Sequence, residues 1–367
     1  MNKTLKVVMV TGGTGGHIFP GLALADVMNE RHHNCLILAD KRFLNYKTQV
    51  PEYLSYKIVP SGSFSGNIFT KIISLFKIAF GVIYSMKIYF TYKPDIVIGF
   101  GGYTTFPGVV AAKILQIPII IHEQNAVIGT ANRFLMKWAN VIALTFNNTI
   151  GIDKNDDRIK IIGNPVRKKI EELRDVPYTV PTSNSVINII VTGGSQGAKI
   201  FSKVLPEAFA LLSQKLQKRV KVFQQCRAED LTGVKNRYNE LGIEAVVEKF
   251  FDDMPQLLAQ SHIVFSRAGA SIISELMAIG RPSILIPIKN SIGNHQYLNA
   301  KMLDDHKAAW IINEREFNPS NCAKLLQELL QDQDKLTFAA SNARALYINA
   351  SDKLANIIIN FCKYGYI

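Results

Sequence analysis

At 367 residues, 48% of them apolar and 19% charged, the chain is too long for a single hydrophobic core and too apolar to be disordered, and about two domains of roughly 150 to 200 residues are expected. Its four cysteines, Cys35, Cys226, Cys322 and Cys362, form no CxxC pair, which argues against a thiolate zinc site or a disulfide framework and fits reduced thiols in a cytosolic protein. The formal net charge is +13, and residues 41 to 94 hold eight Lys/Arg against the single acid Glu52, a basic region suited to nucleic acid, anionic lipid or an acidic substrate.

The chain opens on "MNKT" and passes directly into an apolar strand over 5–11, with no apolar segment and small-residue cleavage site ahead of it, so no signal peptide is expected. That strand exits through "VTGGTGGH" (10–17) into a helix over about 16–31. Strands follow at 35–40 and 56–60, then a long helical stretch near 68–91, a strand at 95–100, a helix at 105–116, a strand at 118–122, a helix at 128–139 and a strand at 141–146. Short Val/Ile-rich runs alternating with amphipathic helices predict a parallel sheet covered on both faces. The segments "IGNPVRKK" (162–169) and "VPYTVPTSNS" (176–185) lack periodicity and read as linker or loop.

The pattern then restarts. A strand at 187–192 exits through "VTGGSQG" into a helix over about 199–216. Strands at 220–225, 244–249, 262–266, 283–288 and 308–312 alternate with helices at 228–241, 254–260, 270–279 and 295–305, and helices run to the end. A second doubly wound domain is expected, so the repeat is one whole domain shape rather than a short solenoid period.

Residues 67–93, "NIFTKIISLFKIAFGVIYSMKIYFTYK", contain no uncharged run longer than the nine residues Ile78 to Met86, which argues against a bilayer span. Ile72, Leu75, Phe76 and Phe80 nevertheless crowd more of the helix than one buried face requires, with lysines among them. Such a helix can lie in an anionic membrane interface or pack in a core with its lysines snorkelling at the edge.

Each glycine turn places helix N–H groups and a positive dipole end at the carboxyl end of a parallel strand, where open α/β sheets bind phosphorylated ligands. Neither turn is GxGxxG or GxxxxGK, so a nucleotide-binding fingerprint in the strict sense is absent. "GFGGYTTFPG" (99–108) supplies a third such turn, and Thr14 and Ser195 could add hydroxyl donors. His17, at a helix N-terminus, is disfavoured as imidazolium and is a candidate neutral base or a turn-bonding histidine. "IIIHEQN" (119–125) ends an apolar strand with four polar side chains in a row, which a packed core would not tolerate, so His122, Glu123, Gln124 and Asn125 are placed at a strand mouth with polar partners or a ligand. Glu275 lies one turn after Ser271 and could accept hydrogen bonds from vicinal ribose hydroxyls, or simply serve the helix dipole. His295, Gln296 and Asn299 begin another helix, and amide side chains suit sugar hydroxyls. The pairs at 156–157 and 252–253 read as caps or loops, and no metal ligand set is expected.

Taken in order, "GGTGGHIFPGLALA", "GFGGY", "HEQN", "GNPVR", "VTGGSQGA", "FFDDM", "SRAGASIISELMAIGRP" and "HQYLNA" closely resemble the motifs of the MurG family, the bacterial UDP-N-acetylglucosamine:N-acetylmuramyl-(pentapeptide) pyrophosphoryl-undecaprenol N-acetylglucosamine transferases. The resemblance implies the α/β GT-B fold: two Rossmann-like doubly wound parallel-sheet domains facing a central cleft. The N-terminal domain, 1–163 rejoined by a C-terminal helix at about 345–367, would serve acceptor and membrane, and the C-terminal domain, 164–344, the donor. It implies inverting transfer of GlcNAc from UDP-GlcNAc to the C4 hydroxyl of MurNAc in lipid I, giving lipid II, with no cofactor or metal required. It further implies a peripheral enzyme of peptidoglycan synthesis on the cytoplasmic face of the inner membrane, bound to an anionic lipid surface and not to nucleic acid.

By motif, Thr14, Gly15, Gly16, Asn125, Arg167, Ser195, Gln196, Phe251, Ala270, Ser271, Ile272, Ile273, Ser274, Glu275, Gln296 and Asn299 map onto UDP-GlcNAc contacts. Glu275 would meet ribose and Asn299 the GlcNAc. Gly101, Gly102 and Tyr103 would lie on the acceptor side, with His17 as the carried-over base and Glu123 as a second catalytic candidate. Two departures stand out: His295 where a glutamine often precedes Gln296, and Phe251 where a smaller aliphatic is usual. The family's apolar, basic-rimmed membrane patch favours the interfacial reading of helix 68–91. Two rival readings remain. In one, a nicotinamide or flavin oxidoreductase uses Asp40 as ribose acid; in the other, the chain is a basic nucleic-acid or lipid-surface binder whose affinity follows salt and ignores UDP-GlcNAc.

Overall fold

The computed structural model describes residues 3–62, 67–194 and 197–365. The chain forms two compact units, residues 1–168 with 348–367, and residues 169–347.

The first unit runs β1 (Lys6–Val10), α1 (Gly15–Glu30), β2 (Asn34–Ala39), a 3-10 stretch (Lys41–Gln49), β3 (Ser55–Ile58), α2 (Ile68–Tyr92), β4 (Ile96–Gly99), α3 (Thr105–Ile114), β5 (Ile119–Glu123), α4 (Thr130–Leu135), β6 (Val141–Leu144) and β7 (Ile159–Ile161). All its strands are parallel, in the order β3-β2-β1-β4-β5-β6-β7. β4, β5 and β6 are buried throughout, and β1 is buried from Val7 on, which is why they read as apolar runs rather than alternating ones. The 3-10 stretch and β7 were not expected: the first is polar and short-range, and the second is a three-residue, half-exposed edge strand without a recognisable period.

The short helix α5 (Lys168–Glu172) leads into the second unit. There follow β8 (Ile187–Thr192), α6 (Lys199–Ala210), α7 (Gln214–Gln217), β9 (Val220–Gln225), α8 (Leu231–Glu240), β10 (Glu244–Glu248), α9 (Met254–Gln260), β11 (Ile263–Ser266), α10 (Ala270–Ile279), β12 (Ser283–Leu285), α11 (His295–Asp305), β13 (Ala309–Ile311), α12 (Pro319–Gln331) and α13 (Gln333–Ala345). Its parallel strand order, β10-β9-β8-β11-β12-β13, repeats that of the first sheet. The helix expected over 199–216 breaks at 211–213, where the Gln217 amide donates to the carbonyls of Ala210 (2.6 Å) and Leu212 (2.8 Å). The strand expected to reach 288 stops at Leu285, two residues before Pro287, which has no N–H to offer a ladder.

The segment 176–185 is a loop of the second unit rather than a bridge between units. Arg281, fully buried, donates to the carbonyls of Ala259, Ile279 (2.6 Å) and Gly280 (3.1 Å) and stacks over Tyr178 with its guanidinium carbon 5.6 Å from the ring centre. Burial holds its pKa down at about 10. Tyr178 in turn donates to the His262 carbonyl (3.1 Å) and Arg219 to that of Ser185 (2.9 Å). Loop carbonyls and helix ends are thus satisfied by side chains rather than by a ladder.

The last helix, α14 (Ala350–Tyr364), returns to the first unit and packs on α1, its Leu354, Ala355 and Ile358 joining Leu24, Met28 and Ile37 in one core. Arg31 pairs with Asp352 and donates to Asn356 at 2.7 Å.

Helix α2 is docked along one face only. Asn67 caps it, accepting from the Thr70 N–H at 2.9 Å, and Lys93 at φ 54 ends it before Pro94. Its buried stripe, Ser74, Ile78, Gly81, Ser85 and Tyr89, follows helical spacing and is mostly small, so the helix lies close: a Cβ on Gly81 would be 2.1 Å from the Pro60 carbonyl oxygen. Tyr89 donates to the Gly108 carbonyl of α3 at 3.0 Å. By length and composition the helix is apolar enough to cross a membrane. Its lysines and its docked stripe instead hold it lengthwise against the protein, with Ile72, Leu75, Phe76 (72% exposed) and Phe80 (61% exposed) turned outward.

Candidate active site

The strand order places β1 beside β4 and β8 beside β11 at the two points where chain winding reverses, and the glycine turns leave those strands. In the first unit, Gly12 (φ +146) and Gly13 (φ +88) leave β1. The Gly13 N–H donates to Asp40 Oδ1 (3.4 Å) and the Gly15 N–H to the Tyr46 hydroxyl (3.1 Å). Asp40 also accepts from the Arg42 backbone N–H (3.2 Å) and from Arg42 Nε (2.6 Å). A ribose acid must offer its carboxylate to hydroxyls, and that of Asp40 is occupied by arginine and backbone, so the oxidoreductase reading loses its second support.

Thr14 is exposed at the head of α1. Phe19 packs edge-on to Tyr46 with ring centres 5.7 Å apart, and Arg167 lies over Phe19 at 5.3 Å, so its guanidinium is held at the start of α1. His17 is half-buried, with Nδ1 3.4 Å from Thr14 Oγ1. The turn after β4 passes against its ring: a Cβ on Gly101 (φ +86) would lie 3.4 Å from His17 Cδ2, and one on Gly102 (φ +78) 3.6 Å from Cε1. Positive φ and this proximity together require glycine at both positions. Half-buried Tyr103 follows.

The "HEQN" run departs from expectation. His122, Glu123 and Gln124 are all buried, and the core tolerates them because each makes hydrogen bonds, although Gln124 Oε1 has no partner among the described residues. His122 Nε2 lies 3.0 Å from the Gly163 carbonyl, which can only accept, so Nε2 carries the proton; Nδ1 accepts from the Gln124 amide at 3.1 Å, and that amide also donates to the Phe100 carbonyl at 2.7 Å. Burial first, and the neighbouring His17 charge as well, push the His122 pKa down to about 4 against an opposing backbone hydrogen bond. Glu123 Oε1 accepts from the Asn125 N–H (3.0 Å) and Asn125 Nδ2 (3.2 Å), and Oε2 from the Gly129 N–H (2.9 Å) and Asn132 Nδ2 (2.8 Å). Its carboxylate organises the loop into α4 from within. Asn132 went unmarked in the sequence because one polar residue in a short helix has no motif; only its neighbours reveal it.

In the second unit, Ser195 and Gln196 lie outside the described residues. The turn before them is tight at one glycine and open at the next. A Cβ on Gly193 would fall 2.3 Å from the Ala198 nitrogen, whereas one on Gly194 (φ +80) meets nothing within 4 Å among the described residues. The Gly194 N–H reaches Thr192 Oγ1 at 3.4 Å, and that hydroxyl donates to Gln225 Oε1 at 2.8 Å.

The turn after β11 leads through Gly269, also open, into α10. Within the run from Ala270 to Glu275, Ile273 belongs to the core and the Ser274 hydroxyl bonds back to the Ala270 carbonyl (2.8 Å). Ser271 and Ile272 are half-exposed, and Glu275 is buried. Gln296 Oε1 accepts from the Ile288 N–H (3.1 Å), and Asn299 is buried with Nδ2 donating to the Ala268 carbonyl (3.1 Å). The Gln296 amide thus supports the loop after β12, and the Asn299 amide the turn before α10. Phe251 is half-buried, edge-on to Phe223 with centres 6.5 Å apart, and His295 is half-buried.

A further frame escaped sequence reading. Arg267 Nη2 pairs with Glu314 Oε1 (2.6 Å), Arg267 Nη1 donates to the Ile286 carbonyl (3.0 Å), and Glu314 Oε2 accepts from the Lys289 N–H (3.0 Å). The pair is 47 positions apart in sequence, so no local spacing signals it.

Residues 7–144 match the glycosyltransferase family 28 N-terminal domain, and residues 188–357 the glycosyltransferase family 28 C-terminal domain. The chain is therefore a glycosyltransferase built of two Rossmann-like units. It is 39% identical over 360 residues, 98% of this chain and 93% of the relative, to the UDP-N-acetylglucosamine–N-acetylmuramyl-(pentapeptide) pyrophosphoryl-undecaprenol N-acetylglucosamine transferase of Zymomonas mobilis. It is likewise 39% identical over 362 residues, 98% and 95% of the two chains, to the protein of the same name from Rhodospirillum centenum. The crystal structure of Acinetobacter baumannii MurG superposes with a TM-score of 0.75 at 27% identity, covering 96% of this chain and 99% of that one. A UDP-GlcNAc 2-epimerase from Neisseria meningitidis, solved bound to UDP-GlcNAc, shares the fold at a TM-score of 0.66 and 14% identity, over 96% and 99% of the chains. The chain belongs to the family of UDP-N-acetylglucosamine–N-acetylmuramyl-(pentapeptide) pyrophosphoryl-undecaprenol N-acetylglucosamine transferases.

Proposed function

We propose that the chain transfers GlcNAc from UDP-GlcNAc to the C4 hydroxyl of MurNAc in lipid I, with inversion at the anomeric carbon, forming lipid II for peptidoglycan synthesis. One observation carries this reading: relatives named for the transfer align with 98% of the chain, so both units and all the glycine turns fall within the shared length.

The second unit holds the donor. As the glycosidic bond breaks, negative charge grows on the UDP phosphates, and the N-terminus of α10 with the turn at Gly193–Gly194 offers backbone N–H groups and a dipole to meet it. Because the side chains of Ile273 and Ser274 are used internally, contacts from Ala270 to Ile272 come from the half-exposed surface and the backbone. Glu275 accepts from ribose, while Gln296 holds the loop after β12 and Asn299 the turn before α10.

The first unit carries the acceptor chemistry. His17 takes the proton of the attacking hydroxyl, with Gly101, Gly102 and Tyr103 bordering it. Glu123, buried under four hydrogen bonds, orders this wall rather than reaching the hydroxyl itself. The outward face of α2, apolar with Lys71, Lys77 and Lys87 among its residues, rests on anionic lipid at the cytoplasmic face of the inner membrane and brings the site to its lipid-borne acceptor.

A transfer assay with labelled UDP-GlcNAc and a lipid I analogue, run with and without chelator, tests donor, acceptor and metal need together. Transfer that survives chelation is expected. No labelled product with that pair would overturn the reading.

A further inference from the structure

Asn132, the third residue of α4, is 2% exposed, and both its amide hydrogens are committed: Nδ2 donates to the His122 carbonyl at 3.0 Å and to Glu123 Oε2 at 2.8 Å. Both partners only accept, so the amide cannot flip and Oδ1 is turned the other way. There Oδ1 has no hydrogen-bond partner among the described residues, although a buried acceptor left unmatched is costly. Gly101 lies against both ends of this amide. A Cβ built on it would be 3.2 Å from Asn132 Nδ2, 3.5 Å from Asn132 Oδ1 and 3.4 Å from His17 Cδ2. The missing side chain of Gly101 is therefore the gap across which the Cδ2–Nε2 edge of the imidazole approaches the Asn132 amide. The opposite edge, at Nδ1, lies beside exposed Thr14.

We propose that Asn132 is the positioning residue for His17: its Oδ1 receives the His17 Nε2–H and leaves Nδ1 as the nitrogen that takes the proton of the attacking hydroxyl. The inference rests on His17 being the base. In the step, the hydroxyl O–H bond breaks as its oxygen bonds the anomeric carbon, the sugar–phosphate bond breaks with its electron pair leaving on UDP, and the proton passes to Nδ1 while the Nε2 proton stays in place. The positive charge so formed faces an amide oxygen whose nitrogen is held by the Glu123 carboxylate, and Glu123 thereby acts on His17 through Asn132. Apo geometry is slack in such pairs and tightens when the reactants bind.

The other charged or titratable groups around this ring are few. His122 interacts with His17 electrostatically and is held neutral, so it opposes the imidazolium little. Asp40 and Arg42 are paired beneath Gly13, and Arg167 is stacked on Phe19.

The test uses the full chain carrying Asn132→Ala, with His17→Ala as reference. Nitrogen NMR of His17 is expected to show the Nε2–H tautomer in the parent and a mixture in Asn132→Ala. kcat should fall on the order of 10- to 100-fold, and the acid limb of its pH profile should move to lower pH because the imidazolium loses an acceptor. UDP-GlcNAc affinity should stay within about two-fold, since Asn132 touches no donor element. An unchanged tautomer and pH limb would make Asn132 a structural support only and overturn the inference, whatever the rate. Normal turnover of His17→Ala would overturn the base reading and this inference with it, whereas an inactive His17→Ala beside an unaltered Asn132→Ala overturns this inference alone. If Asn132→Ala does not fold, Asn132→Ser keeps a hydroxyl donor for Glu123, withdraws the acceptor from Gly101, and is judged by the same signals.

Discussion

The turns at Gly12–Gly13 and Gly193–Gly194 leave equivalent strands, β1 and β8, in nearly the same letters, and their surroundings differ in kind. Around the first, Asp40, Arg42, Tyr46 and Thr104 crowd in, and the Gly13 and Gly15 N–H groups have side-chain partners. Around the second, Gly193 folds tightly onto Ala198 while Gly194 opens to free space among the described residues. A repeated glycine turn therefore repeats a backbone path, not an occupant. What surrounds each turn is set by the side chains that other segments bring to it: Asp40, Arg42 and Tyr46 in one unit, the Thr192 hydroxyl and open space beside Gly194 in the other.

Four experiments would break or sharpen this contrast. His17→Ala strikes the crowded turn at its proposed base, and transfer should fall by roughly 10² to 10⁴ with UDP-GlcNAc affinity largely intact; turnover at the parent rate would leave the two turns without the assigned division of labour.

The buried supports of the first turn should show in the pH dependence of stability. Folded His122 gains its proton only near pH 4, against an ordinary value of 6.5, so on acidification the unfolded chain takes it up first. Stability from neutral His122 is fully present above pH 6.5 and is lost between 6.5 and about 4, by up to about 3 kcal/mol. Urea denaturation across that window should give a shallower loss for His122→Gln than for the parent, and equal slopes would deny the polar core its neutral histidine.

On the open side, Glu275→Ala should weaken UDP-GlcNAc binding by about 1–3 kcal/mol, as hydrogen bonds from ribose to a charged group are lost. Calorimetry giving the parent affinity would remove Glu275 from the donor site. The smallest effect on the fold is expected at α2: Phe76→Ser with Phe80→Ser should change stability by no more than about 0.5 kcal/mol, because both rings are exposed. Binding to anionic vesicles should drop while activity on a soluble short-chain acceptor is spared, and undiminished vesicle binding would move the membrane contact elsewhere.

Much of the fold was legible because it rests on local pattern. Unbroken Val/Ile runs, helical periodicity and glycine at strand exits mark elements whose cause lies within ten or so residues, and β9, α9, α10 and α11 fall where their periodicity puts them. Elements without such a cause were missed: the polar 3-10 stretch at Lys41–Gln49 and the three-residue β7. The "HEQN" run was legible as a set of groups that need partners, but not as a buried network, since the partners that decide its burial, Gly163 and Asn132 among them, come from other elements.

By itself, then, the sequence determined two doubly wound halves, the positions of their glycine turns, the family to which their motifs belong and a basic, apolar helix at 68–92. Those features depend on backbone freedom and hydrophobic period, which short stretches encode. Only the tertiary structure decided that Asp40 is spent on Arg42, that Arg267 meets Glu314, that α2 hides a stripe of small residues and bares Phe76 and Phe80, and that the buried Asn132 amide and the His17 ring both border Gly101. The reason is the same in each case: hydrogen bonds and ion pairs act over about 3 Å in space, and the residues they join here stand far apart in the chain or on facets of a helix that only packing can choose.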